Sequence, residues 1–456
     1  MPAVPRRPPC APAPASSPCS PRSPPPASTP PRGCSRPPAG AIAALRPGER
    51  ILLTGFPVGE ERTATATLQR IEVYAADARV IAVTPQGEVE LPRSRLRFYL
   101  GYAADARADI GLSLDPRTAA SSATVRARSA TSPSAAARSP AAWRWNPPPC
   151  TSRRPMVRRC RRNAAGTGSI QPSSAPRCSV WRRTVLHHRC GQRAERTAAP
   201  RRGRGGHRRR TAQRTAVRRQ HHHGDQLIAQ LFVEMNVMYQ RDLNLQLLQG
   251  TTFLNSNAAN DPYSVTGSPA GSAHLNEFGT YWANNRGRVF RHFAMLLSGK
   301  SSQQNSASGI GWINAHCSKP RSGGSYTVNQ IFTFAGTTPA QNAPLVAHEL
   351  GHNLGSPHTH CNYATNGGVP LDSCYNAEGS GCYSGTPACP GATNGNKGTL
   401  MSYCHIGAPS GAGCGSNNFK LDYASQPANP VQALMNNQIT ANFSTCIDRI
   451  FADGNQ

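Results

Sequence analysis

The stretch VAHELGHNLGSPHTHC, residues 346–361, sets three histidines, a glutamate and a glycine at fixed intervals. His348 and His352 are four apart, so a helix brings both imidazoles to one face, one turn apart, within reach of a single ion. Glu349 follows the first histidine. It projects beside such an ion without having to bind it, where a carboxylate can take a proton from water and return it to a leaving amine. Leu350 and Leu354 are left for the core. Gly355 ends the helix in a left-handed conformation that glycine adopts at little steric cost, and Pro357 keeps the helix from resuming. The chain then folds back and presents His358. Three imidazoles with a fourth position open is the donor set of a catalytic zinc ion. His360, two residues on, is an alternative ligand or a support to the others.

Around this helix the second half of the chain alternates helices and strands. Leu227, Ile228, Leu231, Phe232, Met235, Met238 and Tyr239 recur at helical intervals, and LNLQLLQGTTFLN then alternates as a strand does. EFGTYWANNRGRVFRHFAMLLSGK reads as a helix running into a buried strand; GIGWINAHC and YTVNQIFTF are further strands. The expectation is an α/β domain over residues 225–456.

The formal charge of +28 belongs elsewhere. Residues 1–224 hold 40 arginines, no lysine and 11 acidic residues; residues 225–456 hold ten basic and eleven acidic residues. Residues 1–40 are low-complexity Pro, Ala, Ser and Arg. Residues 41–116 alternate apolar and polar residues as a small β-rich unit does. Residues 117–224 return to Arg, Ala, Pro and Ser with too little to bury, and read as disordered. Their composition also matches GC-rich DNA translated out of frame, which transcript sequencing across residues 104–225 would test. The HHH tract at 221–223 lies at the edge of this segment and carries little weight.

Eight cysteines lie after residue 225: Cys317, Cys361, Cys374, Cys382, Cys389, Cys404, Cys414 and Cys446. Their even number, their Gly- and Asn-rich surroundings and the absence of a CxxC pair favour about four disulfides in an oxidising compartment over a structural zinc cluster. MPAVPRRPPCAPAPASSPCS has no apolar core of a signal peptide, and no run approaches transmembrane length.

HELGHNLGSPH resembles the HExxHxxGxxH signature of metzincin zinc endopeptidases, and GTLMSYCH at 398–405 is similar to their methionine turn. The resemblance implies a metzincin-like catalytic domain: a twisted mixed sheet with long helices, an active-site helix and a Met-turn. A propeptide-like β-rich segment would precede it. It further implies Zn²⁺ held by His348, His352 and His358, Glu349 as general base, and Met401 as an apolar floor beneath the ligands. Tyr403 corresponds to a tyrosine that astacins place near zinc, a hydrogen-bond donor to the transition state. The surroundings look like the adamalysin or reprolysin branch, in which a strand like GIGWINAHC binds substrate and Cys317 pairs with a cysteine placed like Cys446. Two features depart from it: Thr359 stands where adamalysins carry Asp and astacins Glu, and the Cys-rich insert from Cys361 to Thr399 is long. The implied partner is a protein or peptide substrate, cleaved by a secreted monomer with no membrane span and no nucleic acid. Two other readings stay open: a non-catalytic zinc-binding module, in which Glu349 has no purpose, and a nucleic-acid-binding protein using the arginine-rich segment, which lacks interleaved aromatics.

Overall fold

Alternating burial along RILLTGFP and TATATLQRI turns Ile51, Leu53, Ala64, Ala66 and Leu68 to one buried face, as in a sheet covered on one side. The computed structural model describes residues 39–128, 143–145, 179–180, 184–189, 206–255, 257–299, 308–332, 337–363, 368–426 and 429–442. The chain begins there with α1 (Ala39–Ala43), β1 (Arg50–Pro57), β2 (Thr63–Ile71), β3 (Val80–Thr84), β4 (Gly87–Leu91), β5 (Arg97–Ala103), β6 (Ala108–Leu114) and β7 (Ser121–Ala127). Short strands β8 (Trp143–Trp145), β9 (Ser179–Val180) and β10 (Thr184–Arg189) follow, then α2 (Gly206–Leu243), β11 (Leu245–Gln246) and β12 (Gln249–Asn255). The remainder comprises α3 (Ser272–Asn285), β13 (Phe293–Ser298), β14 (Ser308–Gly311), β15 (Tyr326–Gln330), α4 (Pro339–Asn353) and α5 (Pro430–Ala441).

Two larger sheets result. The first, β1-β2-β5-β6-β7-β8, is antiparallel throughout. The second runs β14-β15-β13-β10-β12-β3-β4, with its five middle strands parallel and antiparallel strands at both edges. Every residue of β13 and β15 is buried, as befits parallel strands covered on both faces. On α2, Ile228, Leu231, Phe232, Met235, Met238 and Tyr239 are buried, in one cluster with Ile71 and Phe98 of the first sheet and Val346, Leu350, Leu354 and Met401.

The boundary of composition at residue 225 is therefore not a boundary of the sheet. The β3–β4 hairpin, from the segment read as a separate β-rich unit, extends the second sheet beyond β12, and β10 lies between β12 and β13. Asp225 is buried at this junction: Oδ2 accepts from the Tyr74 hydroxyl (2.8 Å) and the Ser94 amide (2.7 Å), and Oδ1 from Gln249 Nε2 (3.1 Å).

Part of the segment 117–224, expected to lack structure, is ordered as β7, β10 and the start of α2. Average composition misses pairings that neutralise single charges. Arg126 on β7 meets Glu234 on α2 at 3.2 Å, with side chains 14% and 7% exposed. Arg128 and Arg241 both bond Asp109, at 2.6 and 2.8 Å. The low-complexity run before Ala39 lies outside the described residues, as does most of the arginine-rich stretch. Among the described residues, no helix is long and apolar enough to cross a membrane.

Candidate metal centre

Helix α4 starts with Thr338 and Pro339. Pro has no N–H to lose at the first helical position, and Gln341 Oε1 accepts from the Thr338 amide (2.8 Å), closing half of a capping box. Pro344 lies inside the helix and cannot donate to the Ala340 carbonyl. Arg126 Nη2 from β7 makes that bond instead, at 2.9 Å. At the other end Gly355 takes φ +106°, and a Cβ there would stand 2.7 Å from Asn314 Oδ1. Leu350 and Leu354 are fully buried.

The chain brings the three histidines together. His358 Nε2 lies 3.1 Å from His348 Nε2 and 3.2 Å from His352 Nε2. Each ring uses its other nitrogen for support: His348 Nδ1 donates to the Leu400 carbonyl (2.6 Å), His352 Nδ1 to the Ser356 carbonyl (2.7 Å), and His358 Nδ1 to Glu378 (2.6 and 2.7 Å). These oxygens fix the ring protons on Nδ1, so three Nε2 lone pairs face one another. Burial first, and the neighbouring imidazole second, hold His348 and His352 down to about 3. Burial lowers His358 to about 4 against the pull of Glu378. Three neutral donors converging at such distances repel unless a cation sits among them, and the set fits a metal ion. Among the described residues, the two other groups that could hold one contain disulfide-bonded cysteines: Cys361 with Cys382, Cys374 with Cys404, Cys389 with Cys414. Cys317 is disulfide-bonded too, while its expected partner Cys446 lies outside the described residues.

Met401 lies under the helix, fully buried. Its carbonyl accepts from the Thr359 amide (3.0 Å), directly after His358, while the preceding Leu400 carbonyl holds His348. One loop thus holds the His348 ring and the backbone next to His358. Thr359, where an acid was expected, points its hydroxyl at the buried carboxylate of Asp372, which also accepts from Ser402 Oγ (2.9 Å), the Tyr423 hydroxyl (2.6 Å) and the Cys374 amide (3.0 Å). A carboxylate is therefore present beneath the turn, drawn from the Cys-rich insert.

Glu349 is buried, and burial pushes its carboxyl up to about 8. It lies against β14: a Cβ on Gly309 would stand 2.4 Å from its Oε1, so a side chain there would displace the Glu349 carboxyl. Tyr403 stacks beside the ligands, its ring centroid 4.0 Å from His358 and 6.0 Å from His348. Burial first, then the charges of Glu349 and Glu378, raise its phenol above the ordinary tyrosine value, so it stays a donor. His360 is buried with Nε2 2.6 Å from Glu378 Oε2. Burial opposes charge on Glu378, but the hydrogen bond from His358 and the close His360 ring prevail and hold its carboxyl well below the ordinary range.

Sequence reasoning passed over Glu378 and Asp372. Their only signal was a place in the insert close to cysteines: Glu378 four residues before Cys382 and Asp372 two before Cys374.

No curated protein matches the chain. Among solved structures, metalloproteinase-II from Bacteroides fragilis is similar at 13% identity and a TM-score of 0.30, over 71% of this chain and 86% of that one. The family model described as Metallo-peptidase family M12 (Reprolysin_5) matches residues 215–420, which span α4, the three histidines and the Met401 loop. Residues 215–420 are thus similar to a metallopeptidase of family M12.

Proposed function

We propose that the protein is a zinc-dependent endopeptidase. The reading rests on one observation: three Nε2 lone pairs converge beside a buried carboxylate that does not join them. A tetrahedral zinc ion with bonds of 2.0–2.1 Å spaces its ligand nitrogens by about 3.3 Å, close to the spacing here. Such an ion supplies a Lewis acid that polarises a scissile carbonyl and makes water a better nucleophile.

The protein's own groups supply the rest. Glu349, buried beside the three histidines, takes up the proton of the attacking water and delivers it to the departing amine. Gly309 and Gly311 leave β14 free of side chains where it crosses α4, and β14 is an edge of its sheet. An extended peptide docks there by main-chain hydrogen bonds as an added strand. Tyr403 donates toward the oxyanion. The disulfides of the insert suit secretion. The segment 41–116 serves as a propeptide that folds with the catalytic part.

The test uses the full chain. About one zinc per chain and casein hydrolysis abolished by a chelator are expected. Glu349→Gln should keep the zinc and lose the hydrolysis. Zinc uptake without any hydrolysis by the wild type would leave a non-catalytic zinc-binding module.

A further inference from the structure

The third ligand is supported unlike the other two. His348 and His352 sit on α4 and donate to backbone carbonyls. His358 stands beyond the helix, on the chain that folds back, and donates to a carboxylate instead. No helix fixes this ring.

What fixes it comes from the insert. Cys361, three residues after His358, is bridged to Cys382, four residues after Glu378, and the Tyr383 amide donates to the His360 carbonyl at 2.8 Å. The two segments are stapled so that Glu378 meets His358. The same carboxylate reaches His360, whose ring lies parallel to His358 with centroids 5.5 Å apart and planes 5° apart. The nearest competing imidazole is thereby engaged by a carboxylate.

We infer that Glu378, held in place by the Cys361–Cys382 bridge, is the positioning residue of the third metal ligand: it orients the His358 ring, fixes its proton on Nδ1, and keeps His360 from taking its place. The inference rests on the metallopeptidase reading. A carboxylate accepting from the far side of a ligating imidazole strengthens that imidazole as a donor and fixes its plane, and losing such a partner weakens metal affinity by about 10–100-fold. Glu378 is 32% exposed, which places the effect near the lower end.

The test compares the full-length wild type with Glu378→Ala and Glu378→Gln. Zinc affinity is read by competition with a chromophoric chelator, geometry by the visible spectrum of the cobalt(II) form, and fold by the melting temperature of the metal-free proteins. Glu378→Ala should bind zinc about tenfold more weakly. Its cobalt spectrum should change while its metal-free melting temperature does not. Glu378→Gln keeps an acceptor without the charge and should fall between. Wild-type affinity and spectrum in Glu378→Ala would overturn the inference, and so would a matching fall in metal-free stability, the mark of a merely structural residue. If the wild type itself takes up no zinc, the metallopeptidase reading fails, a different result from unaltered affinity in the variant.

Discussion

Met401 packs so closely against Gly351 that a Cβ on residue 351 would lie 2.6 Å from the Met401 sulfur and 3.0 Å from Met435 Cε. Gly351 lies between the two helical histidines, so the space it leaves lets the methionine loop reach the underside of the site. Gly351→Ala should displace the Met401 and Met435 side chains and destabilise the protein by about 1–3 kcal/mol, as overpacking of a core does. Urea denaturation of the metal-free protein measures it.

Asp372 gathers the hydroxyls of Thr359, Ser402 and Tyr423. Asp372→Ala leaves these buried donors without their acceptor and should cost about 3 kcal/mol. Zinc affinity should fall as well, because Thr359 follows His358 directly. Chemical denaturation and chelator competition read the two effects separately.

Arg126 balances buried Glu234 and fills the Ala340 carbonyl that Pro344 leaves open. Arg126→Ala leaves that carbonyl open and Glu234 without its countercharge, with the Thr124 hydroxyl as a remaining partner. Leaving a buried carboxylate unpaired costs about 3–5 kcal/mol. Burial already raises Glu234 above the ordinary carboxylate value, against the pull of Arg126. The variant should take a proton there and recover part of the loss at acid pH, which denaturation at pH 5 and pH 8 would reveal.

Asp422 accepts from the Val431 and Gln432 amides at the start of α5, yet burial raises its carboxyl from 3.8 to about 6. A raised carboxylate binds its proton more tightly in the folded than in the unfolded state. Its contribution to stability is therefore fully present below pH 3.8 and is lost as pH rises through about 6. Asp422→Asn should remove this decline, gaining on the wild type between pH 4 and pH 7 while changing little below. Melting temperatures across that range decide the matter.

Legibility followed distance along the chain. The helix of His348 and His352, its end at Gly355 and the fold-back to His358 are local geometry, readable from spacing. Met401 was readable only by resemblance, since nothing in its neighbourhood tells where a loop 49 residues beyond His352 will settle. Glu378 and Asp372 were not readable, because bridges among cysteines bring them in and bridge connectivity does not follow from spacing. The composition that made residues 117–224 look unstructured hid β7, whose Arg126 is neutralised by a residue 108 positions away. Strand β10 escaped notice because a central parallel strand needs no alternation of its own.

That central strand decides how little of the chain can fold. A fragment beginning at residue 225 keeps every metal ligand but loses β10 from between β12 and β13 and the β3–β4 hairpin from the far side of β12. Its strands would end in bare backbone edges, which invite pairing with other chains and precipitation. The sheet joins β3 to β12 across about 170 residues, a slow closure that only the longer chain can complete. The shortest form that folds is set by the strands, not by the histidines.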